Sequence, residues 1–497
     1  MMLQIAHLLV LASLATPPSG EAMVHPPSGE AMVHPPSGEA MVHSSAGVAK
    51  LPQSLDVTTI RALPTQHNGR WQPLDTVARD LVHEVTGQTY FQGRDPVVVL
   101  LAWTFEPTAW MEQPLISLEN AELRKELELS ATETTFSFLD LLKDERLLAL
   151  MNEPAPMEEG RKPDPLQSKV NDIRQQLEAL QQIFGNQAIK LIPDAKQANG
   201  AWKAIAAITP RAPAAGDPVR EAWEALDKAF TADDAAAFTA ASDKLSKALA
   251  ALPAAHRPSP ESIQTELRYN DLRPFHIAWI ILAVGAAVAA VAMLVQQRWF
   301  DGVAALPLIA GLAVESYGLW LRWQIAGRIP ASNMYESLLF IGWGMALFAI
   351  LARFVFEQRL VFLTASGMAA MALFLADVLS LDPFIRPLVP VLLDTYWMSI
   401  HVPVIMVSYS VLFLGVIVAH VQLAAMAIAP RDRQLAATMD SLHYWYLHVG
   451  SILLTVGIFT GSMWAASSWG RYWGWDPKEV WSLVAFLAYL AILHAKW

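Results

Sequence analysis

Residues 275–295 read FHIAWIILAVGAAVAAVAMLV, a run of 21 residues that contains no Asp, Glu, Lys or Arg. Because a helix of about 20 apolar residues crosses the hydrocarbon core of a bilayer, this run predicts a membrane span. Six more apolar stretches follow it, at 303–321, 337–356, 360–376, 402–428, 447–466 and 480–496. We therefore predict an all-α fold, a polytopic transmembrane helix bundle with about seven spans, preceded by a mostly helical soluble domain.

The order of the spans predicts which connecting segments share a face of the membrane. Segments 322–336, 379–401 and 465–479 are separated from one another by two spans each, so all three lie on one face, together with the N-terminal domain. The loop charges do not choose the orientation, because Lys and Arg are almost evenly divided between the two faces. Glu315 lies inside a predicted span and Asp377 at the end of another, and we expect both to be hydrogen-bonded within the bundle.

The charge of the chain is concentrated before the first span. Of the 46 acidic and 35 basic residues, 35 acidic and 24 basic precede Phe275, so the net charge of −11 belongs to the N-terminal part. An acidic region without a basic patch argues against nucleic acid as a partner. The chain has no cysteine, which excludes disulfides, thiolate ligation of a metal and thiol redox chemistry.

Composition divides the chain into three regions, 1–50, 51–273 and 274–497. The first begins with an apolar run, Leu3–Ala15, which is either a secretion signal or an incidental start, because it lacks a basic flank. Three copies of PPSGEAMVH then fill Pro17–His43. Such a repeat predicts a disordered tether, and duplication of a linker explains its histidines better than metal binding does. The second region is predicted to be soluble, acidic and extracytoplasmic, and the third to be the membrane domain.

The Trp-rich segment Trp464–Trp481, WAASSWGRYWGWDPKEVW, holds five of the 18 tryptophans of the chain. A pair of tryptophans at a membrane surface is typical of the interfacial belt, whereas five interleaved with glycine favour a site for a flat, apolar ligand. Asp476, Pro477 and Glu479 also fit the N-cap, N1 and N3 positions of a capping box. Both acids are therefore expected mainly to begin the next helix.

This segment resembles the WWD signature of haem-handling membrane proteins, in the form found in the CcsA or ResC type of system II cytochrome c biogenesis. Arg328–Ser337, RIPASNMYES, is similar to the Pro-x-x-Asn-x-Tyr-Glu-Ser segment of that family. Tyr396–Pro403, YWMSIHVP, resembles the segment that carries its first external haem-ligand histidine. Leu493-His494 falls where the family has a histidine within the span after the Trp-rich segment. The resemblance covers residues 270–497.

The resemblance implies that haem b is the cofactor, as a transported substrate, and that His401 and His494 bind its iron. The residues implied to line the haem site are Trp464, Trp469, Trp473, Trp475 and Asp476. His494 lies near the far end of the helix that Pro477 starts, about 25 Å along it, so one haem cannot be bound by both histidines. We therefore expect two stations, His494 deep in the membrane and His401 at the Trp-rich segment. The alternative for His494 is an interfacial histidine beside Lys496.

By resemblance, the chain moves haem across the membrane and presents it at the external Trp-rich segment for covalent attachment to the Cys-x-x-Cys-His of apocytochrome c. Haem lyase activity is expected only with a ResB-type partner subunit and a complete C-terminus, because family members continue beyond the position of Trp497 with a second external histidine. Two other functions stay open: a haem carrier without ligation activity, and a membrane scaffold that binds no haem. The implied location is the bacterial inner (cytoplasmic) membrane, in contact with lipid, with the N-terminal domain and the Trp-rich segment on the periplasmic side.

Overall fold

The computed structural model describes residues 49–152, 165–207, 217–295, 297, 299–356, 359–379, 381–388, 396–428 and 433–495. These residues form two compact units, one up to Leu267 and the other from Arg268. The signal-like run and the repeats predicted from the sequence lie outside the described residues, as do Lys496 and Trp497.

The first unit consists, in its described part, of short helices and three antiparallel strand pairs. Its helices are α1 (Thr58–Arg61), α2 (Leu74–Thr86), α3 (Pro96–Phe105), α4 (Pro107–Trp110), α5 (Ala121–Glu126), α6 (Phe138–Leu142), α7 (Glu145–Asn152), α8 (Pro165–Phe184), α9 (Pro218–Thr231), α10 (Ala235–Ala251) and α11 (Pro260–Leu272). The strand pairs are β1 (Pro64–His67) with β2 (Arg70–Pro73), β3 (Pro114–Ser117) with β4 (Thr135–Ser137), and β5 (Lys190–Ile192) with β6 (Lys203–Ala204). The mostly helical character predicted for this region is confirmed.

Helix α2 is buried on nearly all sides, and its charged residues are paired rather than solvated. Asp75 accepts hydrogen bonds from Arg79 Nε at 2.7 Å and from Arg61 Nε at 2.8 Å. Burial raises the pKa of the Asp75 carboxyl, but the two guanidinium groups outweigh burial and hold this pKa below its ordinary value. Arg70 forms a second pair with Glu266 at 2.7 Å. Removing one partner of either pair would leave an uncompensated charge beside the apolar core.

The second unit is a bundle of long apolar helices. They are α12 (Pro274–Leu294), α13 (Trp299–Ala326), α14 (Met334–Phe356), α15 (Arg359–Val378), α16 (Tyr396–Ile428), α17 (Arg433–Trp469) and α18 (Pro477–His494). Within the described residues, six helices are long and apolar enough to cross a membrane: α12, counted together with α11, and α13 to α17. The seventh predicted span, α18, is a helix but is not one of these six, and its first turn carries Lys478 and Glu479. The six apolar helices confirm the all-α polytopic fold.

Two sets of helices pack closely in the membrane unit. Helices α12 to α15 surround a buried cluster rich in alanine and leucine, and α14 also packs against α16. Helix α16 runs antiparallel to α17, and three glycines of α17 face longer side chains of α16 in a constant register. Small residues allow two membrane helices to approach this closely. The facing pairs are Gly450 with Leu412, Gly457 with Ile405, and Gly461 with His401.

Candidate functional site

Two connecting segments come together at one end of the membrane unit, and the start of α16 packs against α17. Arg328 Nη2 donates to the Arg386 carbonyl at 3.1 Å, and Asn333 Nδ2 donates to the Asp382 carbonyl at 3.1 Å. These bonds join the segment after α13 to the segment after α15. His401, near the start of α16, contacts the last part of α17. The contacts between the first two segments agree with the shared face that the order of the spans predicts for them.

Arg322 and Glu336 form an ion pair whose two side chains are both 0% exposed. Arg322 Nε lies 2.9 Å from Glu336 Oε1, and the guanidinium also donates to the Pro383 carbonyl at 2.8 Å. Glu336 Oε2 accepts the backbone N–H and the hydroxyl of Ser332, both at 2.7 Å. Buried charges persist when they are paired and hydrogen-bonded, so this pair braces both segments against α13 and α14. In the sequence, Glu336 belongs to the RIPASNMYES motif, but no sequence pattern indicates that Arg322 is its ion-pair partner.

The Trp-rich segment is more helical than the sequence predicts. Helix α17 continues to Trp469, so Trp469 lies on its last turn rather than in the predicted connecting segment 465–479, while Trp464 lies in the helix within the predicted span 447–466. Gly470 ends the helix in the left-handed conformation, with φ 71°, and its N–H donates to the Ala466 carbonyl at 3.0 Å. The stretch Ala-Ala-Ser-Ser between the two tryptophans contains no helix breaker, which explains why the predicted loop at 465–479 shortens to 470–476.

The tryptophans of the segment form two contacting pairs. Trp464 and Trp469 meet edge to face with ring centroids 4.7 Å apart, and Trp473 meets Trp475 at 5.8 Å. The Arg471 guanidinium lies 5.4 Å from the centre of the Trp469 ring, a cation–π contact. Trp469 and Trp475 remain 46% and 69% exposed. This exposed indole surface is compatible with both explanations drawn from the sequence, an interfacial belt and a site for a flat ligand.

Asp476 and Glu479 form the predicted capping box of α18, which is confirmed. Asp476 Oδ1 accepts the N–H groups of Lys478 and Glu479 at 2.8 and 3.0 Å. Glu479 Oε2 accepts the N–H of Gly474 at 2.6 Å, and its Oε1 lies 3.5 Å from Arg471 Nη1. Both acids therefore hold the loop on the first turn of the helix. A contact between Asp476 and haem stays a prediction.

His401 lies in the second turn of α16, because this helix begins at Tyr396 and continues through Pro403 instead of starting at the predicted residue 402. Its half-buried side chain crosses to α17, where Nδ1 lies 2.8 Å from the Gly457 carbonyl oxygen. A carbonyl only accepts hydrogen bonds, so Nδ1 carries the proton and a neutral imidazole keeps its lone pair on Nε2. No other described residue is hydrogen-bonded to Nε2. The ring thus offers one neutral nitrogen ligand at the Trp-rich end.

Trp464 is arranged beside His401 in a way that the sequence did not predict. Their rings are parallel within 6°, and the ring centroids are 6.5 Å apart. A flat ligand between two rings needs two contacts of about 3.5–4.0 Å each, so a porphyrin does not fit between them. The indole Nε1 of Trp464 is buried and has no hydrogen-bond partner among the described residues. A flat ligand could therefore contact Trp464 on the parts of the indole that do not face the His401 ring.

His494 is the last residue of α18 and lies in a different environment. It is exposed, and its Nδ1 is hydrogen-bonded to the Leu490 carbonyl of its own helix at 2.8 Å. The helix places it about 25 Å from Pro477, so the structure does not bring His494 and His401 together. This separation is what two stations require. The binding of haem by His494 stays a prediction.

The two acidic residues predicted to be hydrogen-bonded within the bundle, Glu315 and Asp377, differ from each other. Asp377 is hydrogen-bonded to His276 Nδ1 at 2.7 Å and to Trp279 Nε1 at 3.2 Å, as predicted. Glu315 is fully buried, but neither of its carboxyl oxygens has a hydrogen-bond partner among the described residues, so the prediction was wrong there. Gly342 of α14 faces this carboxyl and has no side chain that could donate a hydrogen bond.

The donor set at the Trp-rich end fits haem better than a bare metal ion. In the described part of the chain, no group of three or more His, Asp or Glu side chains could hold a metal ion. A haem iron is already held by its porphyrin and needs only one or two axial ligands from protein, for which a neutral imidazole is suited. His401 and the exposed indole rings meet this requirement. The His401 ring lies against Gly461 and is hydrogen-bonded to the Gly457 carbonyl, and the sequence analysis did not predict a role for either glycine. Their spacing of four residues, which places both on one face of a helix, was the available signal.

Comparison with known proteins identifies the family. A family model described as "Cytochrome C assembly protein" matches residues 331–497. Protein NrfI of Wolinella succinogenes is 29% identical over 457 residues, which are 86% of this chain and 49% of NrfI, so the chain spans about half the length of that relative. Cytochrome c biogenesis protein CcsA of Synechococcus sp. strain CC9902 is 32% identical over 250 residues, 44% of this chain and 81% of the relative. The CcsA of Microcystis aeruginosa is 32% identical over 290 residues, 47% of this chain and 86% of the relative. The chain therefore belongs to the CcsA family of cytochrome c biogenesis proteins.

Proposed function

We propose that the chain binds haem at the Trp-rich end of its membrane unit and presents it there for attachment to apocytochrome c. His401 binds the iron through Nε2, and the exposed indole rings of Trp469 and Trp475 contact the porphyrin. The observation that carries this proposal is the hydrogen bond between His401 Nδ1 and the Gly457 carbonyl, because it leaves Nε2 as the nitrogen with a free lone pair. Membership of a cytochrome c biogenesis family supports haem as the cargo.

In this proposal the chain binds and orients the haem, while the bond-forming chemistry belongs to the haem and the apocytochrome. Each thiol of the Cys-x-x-Cys-His segment adds across one vinyl C=C bond of haem b. Sulfur bonds to one carbon, the thiol hydrogen ends on the other, and no group leaves. His401 contributes by holding the haem at the membrane surface, where its vinyl groups are within reach of a soluble substrate.

Transport completes the proposal. His494 receives haem at the far end of α18, where its ring is exposed, and His401 holds the haem after it has crossed. A ResB-type partner subunit takes part in this transfer and in ligation. The chain lies in the bacterial cytoplasmic membrane, with the Trp-rich segment and the soluble domain on the periplasmic side.

The first test is the absorption spectrum of the detergent-purified chain, with haem extraction, beside the spectrum of His401→Ala. We expect a Soret band in the parent and loss of most of it in the variant, because the axial nitrogen is removed. His420→Ala is the matched control: His420 lies on the same helix, is exposed, and is hydrogen-bonded to the Val416 carbonyl of its own helix at 2.8 Å. An unchanged band in His401→Ala would refute the assigned ligand.

The two other functions predict different outcomes with the same protein. A scaffold that binds no haem predicts a colourless parent. A haem carrier without ligation activity predicts a normal Soret band but no covalent c-type cytochrome when the chain is co-expressed with a ResB-type partner and an apocytochrome. We expect covalent cytochrome in that co-expression when the chain is extended to the full length of its family, and its loss with His401→Ala in the extended chain.

A further inference from the structure

The imidazole of His401 rests on the backbone of α17. Gly461 faces the ring, and a Cβ atom added at this glycine would lie 2.6 Å from Cε1 and 2.9 Å from Nδ1 of His401. These distances are far below van der Waals contact, which is about 3.5 Å. The absence of a side chain at Gly461 is therefore what allows the ring to occupy this place.

The hydrogen bond of His401 depends on that place. Nδ1 reaches the Gly457 carbonyl, which lies one helical turn before Gly461 on the same face of α17. If a methyl group at position 461 displaced the ring, the 2.8 Å contact with this carbonyl would be lost with it. The space left by the missing Cβ of Gly461 and the hydrogen bond to the Gly457 carbonyl thus hold the same imidazole in one position.

Trp464 adds a third element to this seat. Its indole lies on α17 close to Gly461 in the chain and is parallel to the His401 ring within 6°. The Gly461 backbone and the Gly457 carbonyl define the position of the imidazole, and the indole of Trp464 lies parallel to it.

Among the other histidines of the membrane helices, His276 is bonded to the Asp377 side chain of α15, whereas three are bonded to the backbone of their own helix. Nδ1 of His420, of His448 and of His494 is hydrogen-bonded to the carbonyl four residues earlier in the same helix, at 2.8, 2.9 and 2.8 Å. Such a bond restrains a side chain against its own helix and leaves it unaffected by how two helices pack. The His401 bond instead joins α16 to α17.

We propose that Gly461, together with the Gly457 carbonyl, is a positioning element for the haem ligand: it holds His401 as the Nδ1–H tautomer with its ring plane set, so that Nε2 is the nitrogen that binds iron. This inference rests on the proposed function of His401. Loss of a group that hydrogen-bonds to a metal-binding histidine typically changes metal affinity by about 10- to 100-fold.

The test compares Gly461→Ala with Gly450→Ala in the full chain. Gly450 lies on the same face of α17, where an added Cβ would lie 2.5 Å from Leu412 Cδ2. Both variants therefore disturb the packing of α16 on α17 to a similar degree, but Gly461→Ala alone disturbs the imidazole. We expect hemin titrations to show a Kd raised by about 10- to 100-fold and an altered Soret maximum in Gly461→Ala. Gly450→Ala keeps the affinity and spectrum of the parent even though its melting temperature falls.

A second readout needs no haem. In ¹⁵N-histidine-labelled protein, the His401 signals are assigned by their absence from His401→Ala. We expect the neutral Nδ1–H tautomer in the parent and in Gly450→Ala, and a mixture of tautomers in Gly461→Ala. The positioning role would be overturned if Gly461→Ala kept the hemin Kd and the His401 tautomer of the parent. It would also be overturned if Gly450→Ala weakened hemin binding as much as Gly461→Ala does. If instead hemin binding is unaffected by His401→Ala, the proposed function fails, and the tautomer measurement still decides whether the glycine seat holds the ring.

Discussion

The two histidines that the sequence singles out lie in regions that are built differently. His401 lies where helices α16 and α17 pack together, and its ring is hydrogen-bonded to the neighbouring helix. His494 ends α18, a helix in which Leu493 is the buried residue, and its ring is bonded to its own helix. In the first region, tertiary contacts control the orientation of the histidine ring. The second leaves its histidine exposed, with its ring bonded to its own helix alone among the described residues.

In the proposed function, the two histidines therefore bind haem with different strengths. An oriented imidazole, whose plane and tautomer are determined by neighbours, loses little entropy when it binds iron. An exposed imidazole must be ordered at the moment of binding, so its affinity is expected to be lower. The comparison therefore predicts a tight site at the Trp-rich end and a weaker one at the end of α18.

The largest effect is expected from breaking the buried ion pair between α13 and α14. Arg322→Ala removes the closer of the two guanidinium groups beside the fully buried Glu336 carboxylate and leaves Arg328 Nη1, at 3.4 Å, as its ion-pair partner, so we expect the free energy of unfolding to fall by about 3 kcal/mol. Chemical denaturation in detergent measures this loss. Arg386→Ala is the control, because the Arg386–Asp382 pair is 37% and 43% exposed and contributes at most about 1 kcal/mol. Equal losses in the two variants would show that the buried pair is not a brace.

The second effect compares the two histidines directly. We expect His401→Ala to raise the hemin Kd by at least about 10- to 100-fold, and His494→Ala to leave most of the hemin affinity of the purified chain unchanged. Because His494 is exposed, its removal should also change the free energy of unfolding by no more than about 0.5 kcal/mol. The comparison breaks down if His494→Ala empties the protein of haem as completely as His401→Ala does.

A smaller effect should follow from loosening the Trp-rich loop. Glu479→Ala removes the acceptor for Gly474 N–H and half of the capping box, which costs about 1 kcal/mol. We expect amide hydrogen exchange of residues 470–476 to become about fivefold faster, with α17 unchanged. Lys478→Ala, at the neighbouring exposed position, should leave exchange unaltered. Unchanged exchange in Glu479→Ala would mean that the loop is held by its tryptophans instead.

The smallest effect on stability concerns Trp475, which adopts a left-handed backbone conformation with φ 60°. This conformation costs a residue with a side chain about 1 kcal/mol, a cost that glycine avoids. Because the ring is 69% exposed, we expect Trp475→Gly to be as stable as the parent or more stable by up to about 1 kcal/mol. Trp475→Ala keeps the strained backbone and should be less stable than Trp475→Gly.

Trp475→Gly also separates structure from function. If the exposed indole contacts haem, as proposed, the variant binds hemin more weakly than the parent despite its equal or greater stability. Hemin titration beside chemical denaturation checks both quantities. Parent-like affinity would remove Trp475 from the proposed haem contacts.

Much of the fold follows from local properties of the sequence. Apolar runs of sufficient length mark the spans at 275–295 and 337–356, because a backbone in lipid must satisfy its hydrogen bonds within a helix. The capping box at Asp476 and Glu479 is equally local, since its partners lie within one turn. The start of α16 and the end of α17 were misjudged, because apolarity marks the part of a helix in lipid and not where the helix ends.

The site could be predicted only in part. His401 and the tryptophans could be named from their pattern and position, and Asp377 was expected to be hydrogen-bonded and is. Glu315 was expected to be hydrogen-bonded and is not, because its neighbour across the helix contact is Gly342, which no pattern along the chain reveals. Haem binding by His401, His494 and the tryptophans stays a prediction.

The sequence by itself determined that this is a polytopic helical membrane protein of the cytochrome c biogenesis type, because apolar length and short motifs are written into neighbouring residues. The tertiary structure alone decided which side chains meet: Arg322 with Glu336 across two helices, and His401 with Gly457 and Gly461 across two others. The register of one helix against another depends on many weak contacts at once, and a glycine acts there through the side chain that it lacks. The nitrogen that His401 keeps free is therefore a property of helix packing and not of the histidine motif.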